Sequence, residues 1–176
     1  EPIPFKWGKC KLATVSFGHG ITTTPLQLAK AYAIISNGGF AVEPSLIKNE
    51  LKNYQKKKRI IKAGISEKIN PILRKIVTTK EGTAGFVNIE GYEVGGKTGT
   101  AHIVEKGVYV SKYNTAFMGF ANDTNNNYTI GVIVVQPKKS HFASQTAVPV
   151  FKKIVDVMIE DSYLKPNVIK QTSSTY

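Results

Sequence analysis

The feature of this 176-residue chain that most constrains its fold is a change in hydrophobic periodicity near its middle. Up to about residue 80, apolar residues recur at helical spacing. After residue 90 the chain becomes rich in glycine, β-branched and aromatic residues, and a closing stretch returns to helical spacing. Helices first, strands next and a last helix predict an α+β fold, an antiparallel sheet with helices packed on its faces.

The first long helix is predicted in TTTPLQLAKAYAIISNGG. Thr24 is placed as its N-cap, Pro25 suits the first helical position, and Gln27 completes a capping box. Asn37-Gly38-Gly39 is expected to end the helix, with a glycine in the left-handed backbone conformation. Apolar residues surround most of this helix, which predicts deep burial.

Two further helices each show one apolar face at i, i+3, i+4, i+7 and i+8 spacing. These faces are Ile69, Ile72, Leu73, Ile76 and Val77 in the first, and Phe151, Ile154, Val155, Met158 and Ile159 in the second. Asn70-Pro71 is expected to start the former helix or to kink its first turn, with Gly82 beyond its end. Residues 161–176 are predicted to form a flexible C-terminal tail.

Three segments predict consecutive antiparallel strands: YEVGGKTGTAHIV, NTAFMGFA and YTIGVIVVQ. The clearest turn between them is NDTNNN, Asn122–Asn127. Because the third segment is apolar almost throughout, we expect it to lie centrally in a sheet that is covered on both faces.

The net charge of +12 and the pI of about 9.7 favour association with anionic surfaces. The most basic segment, Leu51–Gly64, is predicted to be a solvated loop or hairpin. Tyr54 is its only aromatic residue inside the charge cluster, whereas nucleic-acid grooves are studded with aromatics. We therefore expect no nucleic-acid partner, and a basic polyanion-binding module is a remote alternative.

Three further features of the sequence exclude particular structural elements. One cysteine, Cys10, rules out an internal disulfide. The longest strongly apolar run, Ile130–Val135, is too short to span a membrane. Glu1-Pro2-Ile3-Pro4 does not have the pattern of a secretory leader.

The segment GYEVGGKTGTA, Gly91–Ala101, matches two catalytic patterns. From Gly91 it matches the phosphate-binding P-loop, which must open a helix. Glycine and β-branched residues after Thr98 favour a strand instead, and TIGVIVVQP offers no terminal aspartate for Mg²⁺. From Lys97 it matches K-T-G, the third motif of penicillin-binding proteins and serine β-lactamases.

The K-T-G interpretation requires an edge strand with small residues, so that a ligand can lie along its backbone. Gly95, Gly96 and Gly99 would remove obstructing side chains. Lys97 supplies a cation. Thr98 and Thr100 offer hydroxyls to a carboxylate, and the N–H of Thr100 is placed to help hold an oxyanion.

Five segments in order resemble the C-terminal half of the transpeptidase domain of class B penicillin-binding proteins, especially the septal, cell-division branch. They are SFGHGITTTPLQLAKAYAIISNGG, TTKEGTA, GYEVGGKTGTA, YNTAFMGFA and AVPVFKKIV. The chain departs from the family at Ala143-Ser144, where Gly-Gly is common, and at Asn122, where proline is usual.

The resemblance implies that residues 1–160 form the C-terminal part of one transpeptidase domain. An upstream serine would attack the D-Ala-D-Ala bond of a peptidoglycan stem peptide, or a β-lactam, and pass the acyl group to an amine. Lys97 would be the catalytic residue of this chain, assisting proton transfer, and Thr98, Gly99 and Thr100 would bind substrate.

No metal or organic cofactor is implied. His19, His102 and His141 lack the neighbours that metal ligands need, and we expect structural or surface roles for them. His102, two residues past Thr100 on the predicted strand, is also a candidate to line the cleft.

The family's nucleophile lies in an S-x-x-K motif, completed by S-x-N. No S-x-N occurs in this chain. S-x-x-K occurs at Ser45–Lys48 and Ser162–Lys165, a frequency that chance explains, and both lie outside the expected place. We therefore expect the chain to be inactive alone and to work with an upstream half of the domain.

The resemblance further implies the periplasmic face of a bacterial inner membrane, with an anchoring N-terminal segment outside this chain. Expected partners are stem peptides, β-lactams and other cell-wall synthesis or divisome proteins. A non-catalytic penicilloyl-binding sensor or scaffold of the same fold is the main alternative. Serine β-lactamases share K-T-G, but T-P-L-Q-L-A and A-x-P-V-F segments are not usual in them.

Overall fold

A computed structural model describes residues 8–18, 20–47 and 58–167. Apart from the short helix Lys11–Ser16, which the sequence pattern did not predict, the helices and strands in these ranges follow the predicted order, which confirms the α+β class. They are α1 (Lys11–Ser16), α2 (Pro25–Ser36), α3 (Ala63–Thr78), β1 (Glu93–Glu105), β2 (Val108–Asn122), β3 (Asn127–Val135) and α4 (Ala147–Glu160). His19, Lys48, residues 51–57 of the basic segment and residues 168–176 of the predicted tail lie outside the described residues.

The strands form one antiparallel sheet in the order β1-β2-β3, as predicted. Thr100 of β1 pairs with Thr115 of β2, and Ala116 pairs with Ile133 of β3. The turn between β2 and β3 falls where NDTNNN predicts it.

The central position expected for β3 is wrong, because β2 lies between the other two strands. Val135 of β3 is 66% exposed, and Val132 is the residue of this strand that is buried. β3 contacts α2 on one side of the sheet and α4 on the other. A strand between two helix layers needs apolar residues on both faces even at an edge, so its composition does not reveal its place.

The main core lies between α4 and the sheet. Phe117 of β2 meets Phe151 of α4 edge-on, with ring centroids 4.7 Å apart. Val148 and Val155 complete the buried side of α4. Ile154, predicted on the same face, is 37% exposed because the buried side is centred on Phe151 and Val155.

α2 has the predicted capping box: the N–H of Gln27 donates to Thr24 Oγ1 at 3.2 Å, and the N–H of Thr24 donates to Gln27 Oε1 at 3.0 Å. Its stop is also confirmed, since Gly38 and Gly39 have φ of 86° and 93°. The predicted deep burial is wrong. Among the described residues α2 packs by one side only, so Ile34 is buried while Leu26 is 60% exposed.

α3 begins at Ala63, earlier than expected, so Pro71 lies inside the helix rather than in its first turn. Its buried residues are Ser66, Leu73 and Val77, which follow one another at helical spacing. Ile72 is 60% exposed, because it lies beside this stripe rather than on it.

The first seven residues of the predicted tail pack against the domain instead of extending from it. Leu164 is 2% exposed in the core, and its N–H donates to Met158 O at 3.1 Å. The N–H of Lys165 donates to Asp123 Oδ2 at 2.9 Å, and that of Asn167 to Gly91 O at 2.7 Å. This segment therefore ties the end of α4 to the two turns that flank the sheet.

The described ranges offer neither a membrane-spanning helix nor a cluster of metal ligands. No helix there is both long and apolar enough to cross a membrane. No three histidine, cysteine, aspartate or glutamate residues in those ranges are grouped so that they could hold a metal ion.

Candidate active site

The K-T-G-T residues lie within β1, which is unbroken from Gly95 through Thr100. A P-loop would turn into a helix after Thr98, whereas here the strand continues to Glu105. The strand interpretation of this segment is therefore confirmed, and the P-loop interpretation is wrong.

β1 pairs only with β2 among the described residues, and it turns its other edge away from the sheet. The carbonyl of Gly95 faces Gly119 of β2. The carbonyls of Val94 and Thr98 instead accept from side chains, Arg74 Nη1 at 2.6 Å and Lys97 Nζ at 2.9 Å. Because backbone direction alternates along a strand, the even-numbered residues turn their N–H and C=O groups to the free edge.

Side-chain alternation places the site residues on two faces of β1. Lys97 pairs with Met118 and lies on the face that carries α2. Thr98 and Thr100 share the opposite face, where they pair with Phe117 and Thr115. The two hydroxyl side chains therefore lie together, beside the free backbone edge.

Thr98 Oγ1 is the point where the polar side chains of the site meet. Lys97 Nζ donates to it at 3.3 Å and also donates to the Thr98 carbonyl at 2.9 Å. Thr83 Oγ1 lies 3.1 Å from Thr98 Oγ1. Lys97 forms no ion pair within the described part of the chain, so its charge is available to an anion.

Thr83 is a site residue that the sequence analysis missed, although it lies in the TTKEGTA segment. The turn that carries it follows α3 and returns to β1. The N–H of Gly82 donates to Thr79 O at 3.1 Å, and that of Ala84 to Ile76 O at 3.3 Å. A threonine next to a glycine in the turn after a helix was the available signal, but sequence alone does not show which strand this threonine contacts.

Two of the three glycines of β1, Gly95 and Gly96, have a different role from the one expected. A Cβ atom on Gly95 would lie 2.5 Å from the Phe120 ring, and one on Gly96 would lie 2.6 Å from the Phe117 ring. These two glycines therefore make room for packing within the domain. A Cβ on Gly99 would meet only the Cβ of Ala116, at 3.8 Å, so Gly99 alone lies in an open part of the strand.

A cleft of about 670 Å³ adjoins the K-T-G-T strand. Its walls come from the segment after α1, which includes Phe17 and Ile21, and from Thr100, His102 and Tyr109. The expectation that His102 lines the cleft is confirmed. Its ring contacts that of Tyr113 in a tilted arrangement with centroids 4.4 Å apart, and the Tyr113 ring stacks on that of His141 at 4.9 Å.

Arg74 reaches from α3 to β1, where its guanidinium group donates to the Val94 carbonyl. Burial lowers the pKa of Arg74, and the nearby carboxylate of Glu93 raises it. An arginine side chain keeps its charge in proteins, so its bond to the Val94 carbonyl is a charge-assisted one.

The two S-x-x-K serines lie away from this cleft. Neither Ser45 nor Ser162 is among the residues that line it. The Ser45 hydroxyl accepts from the N–H of Ile47 at 3.0 Å, which is a local turn bond. Ser162 follows α4 and has φ of 61°. Neither serine therefore lies at the cleft beside the K-T-G-T strand, where the acylated nucleophile is expected.

An α+β domain with helices on both faces of an antiparallel sheet and K-T-G-T on its edge strand defines the penicillin-binding-protein and β-lactamase class. Residues 3–156 match the family model described as the penicillin binding protein transpeptidase domain. The chain belongs to this family.

Curated relatives agree. The chain is 34% identical over 167 residues to the peptidoglycan D,D-transpeptidase FtsI of Buchnera aphidicola, covering 92% of this chain and 29% of that protein. It is 33% identical to a probable peptidoglycan D,D-transpeptidase PenA of Neisseria flavescens, covering 85% and 37%. It is 32% identical to stage V sporulation protein D of Bacillus subtilis, covering 90% and 26%. The chain thus spans roughly a third of each relative.

A solved structure gives the same result. The apo transpeptidase domain of penicillin-binding protein 3 from Burkholderia pseudomallei superposes with a TM-score of 0.75 at 28% identity. The match covers 92% of this chain and 49% of that one. The predicted transpeptidase fold is therefore confirmed.

Proposed function

We propose that this chain forms one wall of the active site of a peptidoglycan D,D-transpeptidase. The family match and the relatives named as D,D-transpeptidases support this proposal. The substrate would be a stem peptide that ends in D-Ala-D-Ala, and a β-lactam would react at the same site.

The observation that carries the proposal is the placement of Thr98 and Thr100 on one face of an edge strand, beside a backbone edge that pairs with no further strand among the described residues. A terminal carboxylate lying there would accept from both hydroxyls. Lys97, exposed and without an ion pair in the described residues, would offset the charge of that carboxylate. Gly99, which turns to the same face as Lys97, adds no side chain beside that lysine.

The chemistry would follow from the same edge. A serine oxygen outside this chain attacks the carbonyl carbon of the scissile bond. The Thr100 N–H, which points to the free edge, would stabilise the oxyanion that forms. Lys97 would assist movement of the serine proton to the departing D-alanine nitrogen. An amine of a neighbouring stem then attacks the ester, forms the crosslink and releases the serine.

The serine and the S-x-N motif would come from an upstream half of the domain. Neither Ser45 nor Ser162 lines the cleft, and no S-x-N occurs in the chain. We therefore propose that this chain alone is inactive.

We also propose a cellular location and role for the enzyme. The enzyme would act on the periplasmic face of the inner membrane, anchored by a segment outside this chain, together with cell-wall synthesis proteins of the division machinery. The resemblance to the septal branch supports the division role. The comparisons include an FtsI and a stage V sporulation protein at similar identity, so they do not separate branches of the family.

The test is a crosslinking assay on the complete protein that contains this chain. It is given a donor peptide ending in D-Ala-D-Ala and an acceptor amine, and mass spectrometry follows crosslinked product and released D-alanine. We expect both products, and we expect penicillin to block them. Penicillin binding without any crosslinked product would contradict the proposal and indicate a sensor.

Variants connect the activity to this wall. Lys97→Ala is expected to lower the crosslinking rate by about 100-fold or more, because proton transfer typically contributes that much. Thr100→Val is expected to lower it roughly 10-fold, through loss of a hydroxyl that binds a charged group. Thr124→Val, in the exposed turn between β2 and β3, is the matched control and should leave the rate unchanged.

A further inference from the structure

We infer that Thr83 is a positioning residue that fixes the direction of the Thr98 hydroxyl. Thr83 donates its proton to Thr98 Oγ1, which leaves the proton of Thr98 for the carboxylate of the substrate. This inference rests on the proposed function of β1, and it assigns a specific task to a residue outside K-T-G-T.

A proton count supports the direction. Lys97 carries an ammonium group, which has no acceptor atom, so its 3.3 Å contact with Thr98 Oγ1 uses one lone pair of that oxygen. The remaining partner of this oxygen is Thr83 Oγ1 at 3.1 Å, where either hydroxyl can be the donor. If Thr98 donated to Thr83, its only proton would be used and oxygen lone pairs would face the carboxylate. If Thr83 donates, Thr98 accepts twice and donates once to the anion.

The turn around Thr83 holds its hydroxyl in place. A side chain on Gly82 would overlap the Ile76 carbonyl, so the turn lies directly on the end of α3. On the other side Ala84 is fully buried, and its N–H donates to the same carbonyl. Thr83 therefore has a fixed residue before and after it.

The hydroxyls of the neighbouring threonines have other hydrogen-bond partners. Thr78 Oγ1 donates to Arg74 O at 3.1 Å, and Thr79 Oγ1 donates to Lys75 O at 2.9 Å. Both hydroxyls serve the end of their own helix. The hydroxyl of Thr83 is the one in this segment that bonds to β1.

The test measures acylation of the complete protein by benzylpenicillin and by its neutral methyl ester. Thr83→Val should slow acylation by the carboxylate form roughly 2- to 10-fold, the range that one hydrogen bond represents, and should leave the ester unaffected. Thr83→Ser should restore the rate. Thr79→Val, which removes a hydroxyl from the same segment, is the control and should behave as the unaltered protein.

A double variant tests whether Thr83 acts through Thr98. In a Thr98→Val background, Thr83→Val should have no further effect. An equal loss with acid and ester would show a merely structural role and overturn the inference. An unchanged rate in Thr83→Val would overturn it as well, while the proposed function would stand. If the unaltered protein is not acylated at all, the proposed function fails, and the inference fails with it.

Discussion

Gly95 of β1 and Phe120 of β2 face each other so closely that a methyl group on the glycine would lie 2.5 Å from Cζ of the ring. The same methyl group would lie 3.2 Å from the backbone nitrogen of Arg74 on α3. The absence of a side chain at residue 95 therefore lets α3 and the sheet approach each other directly behind the K-T-G-T residues.

Gly95→Ala is expected to destabilise the protein by about 1–3 kcal/mol, the usual cost of overpacking a core. Gly99→Ala is the matched control. Its new Cβ would make an ordinary 3.8 Å contact with Ala116, so little change in the free energy of unfolding is expected. Urea unfolding of the complete protein checks both variants. Equal stability of the two would contradict the packing described for Gly95.

Arg74→Gln is expected to lower stability by about 1–2 kcal/mol, because a charge-assisted bond to the Val94 carbonyl is lost. The residue Val94 is fully buried, so its carbonyl has little access to a replacement partner. Lys75→Gln, exposed on the same helix, should have no comparable effect. Thermal unfolding measures the difference, and similar melting temperatures for the two variants would refute this role of Arg74.

The lowered pKa of the Asp123 carboxyl group predicts that the stability of the protein depends on pH. Backbone N–H donors, first that of Lys165 and then that of Asn125, with further bonds from Asn126, lower the pKa of Asp123 to about 2 from its usual 3.8. A carboxyl group with a lowered pKa in the folded state contributes stability above its unfolded pKa and loses it as pH falls through the folded value. The contribution should therefore be complete above about pH 4 and disappear towards pH 2.

Asp123→Asn should accordingly lower the melting temperature at neutral pH, and the difference from the unaltered protein should shrink below pH 4. Hydrogen exchange should also become faster at Leu164 and Lys165, which this carboxylate helps to hold. Asp156→Asn is the control, since its carboxylate pairs with Lys152 on the outside of α4. If the difference in melting temperature persisted unchanged to pH 2, this role of the Asp123 carboxylate would be contradicted.

Ser45→Ala and Ser162→Ala are expected to leave the rate of penicillin acylation unchanged, singly and together. Neither serine lines the cleft beside Thr100. The rate is followed with a fluorescent penicillin on the complete protein. Loss of labelling in either variant would place the nucleophile inside this chain.

Local patterns predicted much of the fold because their causes are local. The capping box of Thr24 and Gln27 depends on a four-residue spacing, and the turn at Asp123 is held by its own carboxylate, which accepts from the N–H of Asn126. Long-range partners were harder to predict. The apolar pattern of β3 does not separate an edge from a centre, and nothing local shows that Leu164 returns to the core.

The site residues likewise fall into those that a local pattern predicts and those that depend on long-range contacts. Lys97, Thr98 and Thr100 were predicted from their pattern, and the structure puts them on a continuous edge strand. Thr83 could not be assigned, because its position beside Thr98 depends on how the turn after α3 meets β1. Gly95 and Gly96 were assigned to ligand access, since the aromatic rings that fill their space come from a strand twenty or more residues later.

Whether this chain forms the K-T-G-T wall of a site whose serine lies elsewhere is tested by mapping the penicilloyl adduct on the complete protein by peptide mass spectrometry, with and without Lys97→Ala. We expect one adduct, on a serine outside these 176 residues, and a large drop in its rate of formation when Lys97 is replaced. An adduct on Ser45 or Ser162, or an adduct that forms equally fast without Lys97, would contradict this expectation.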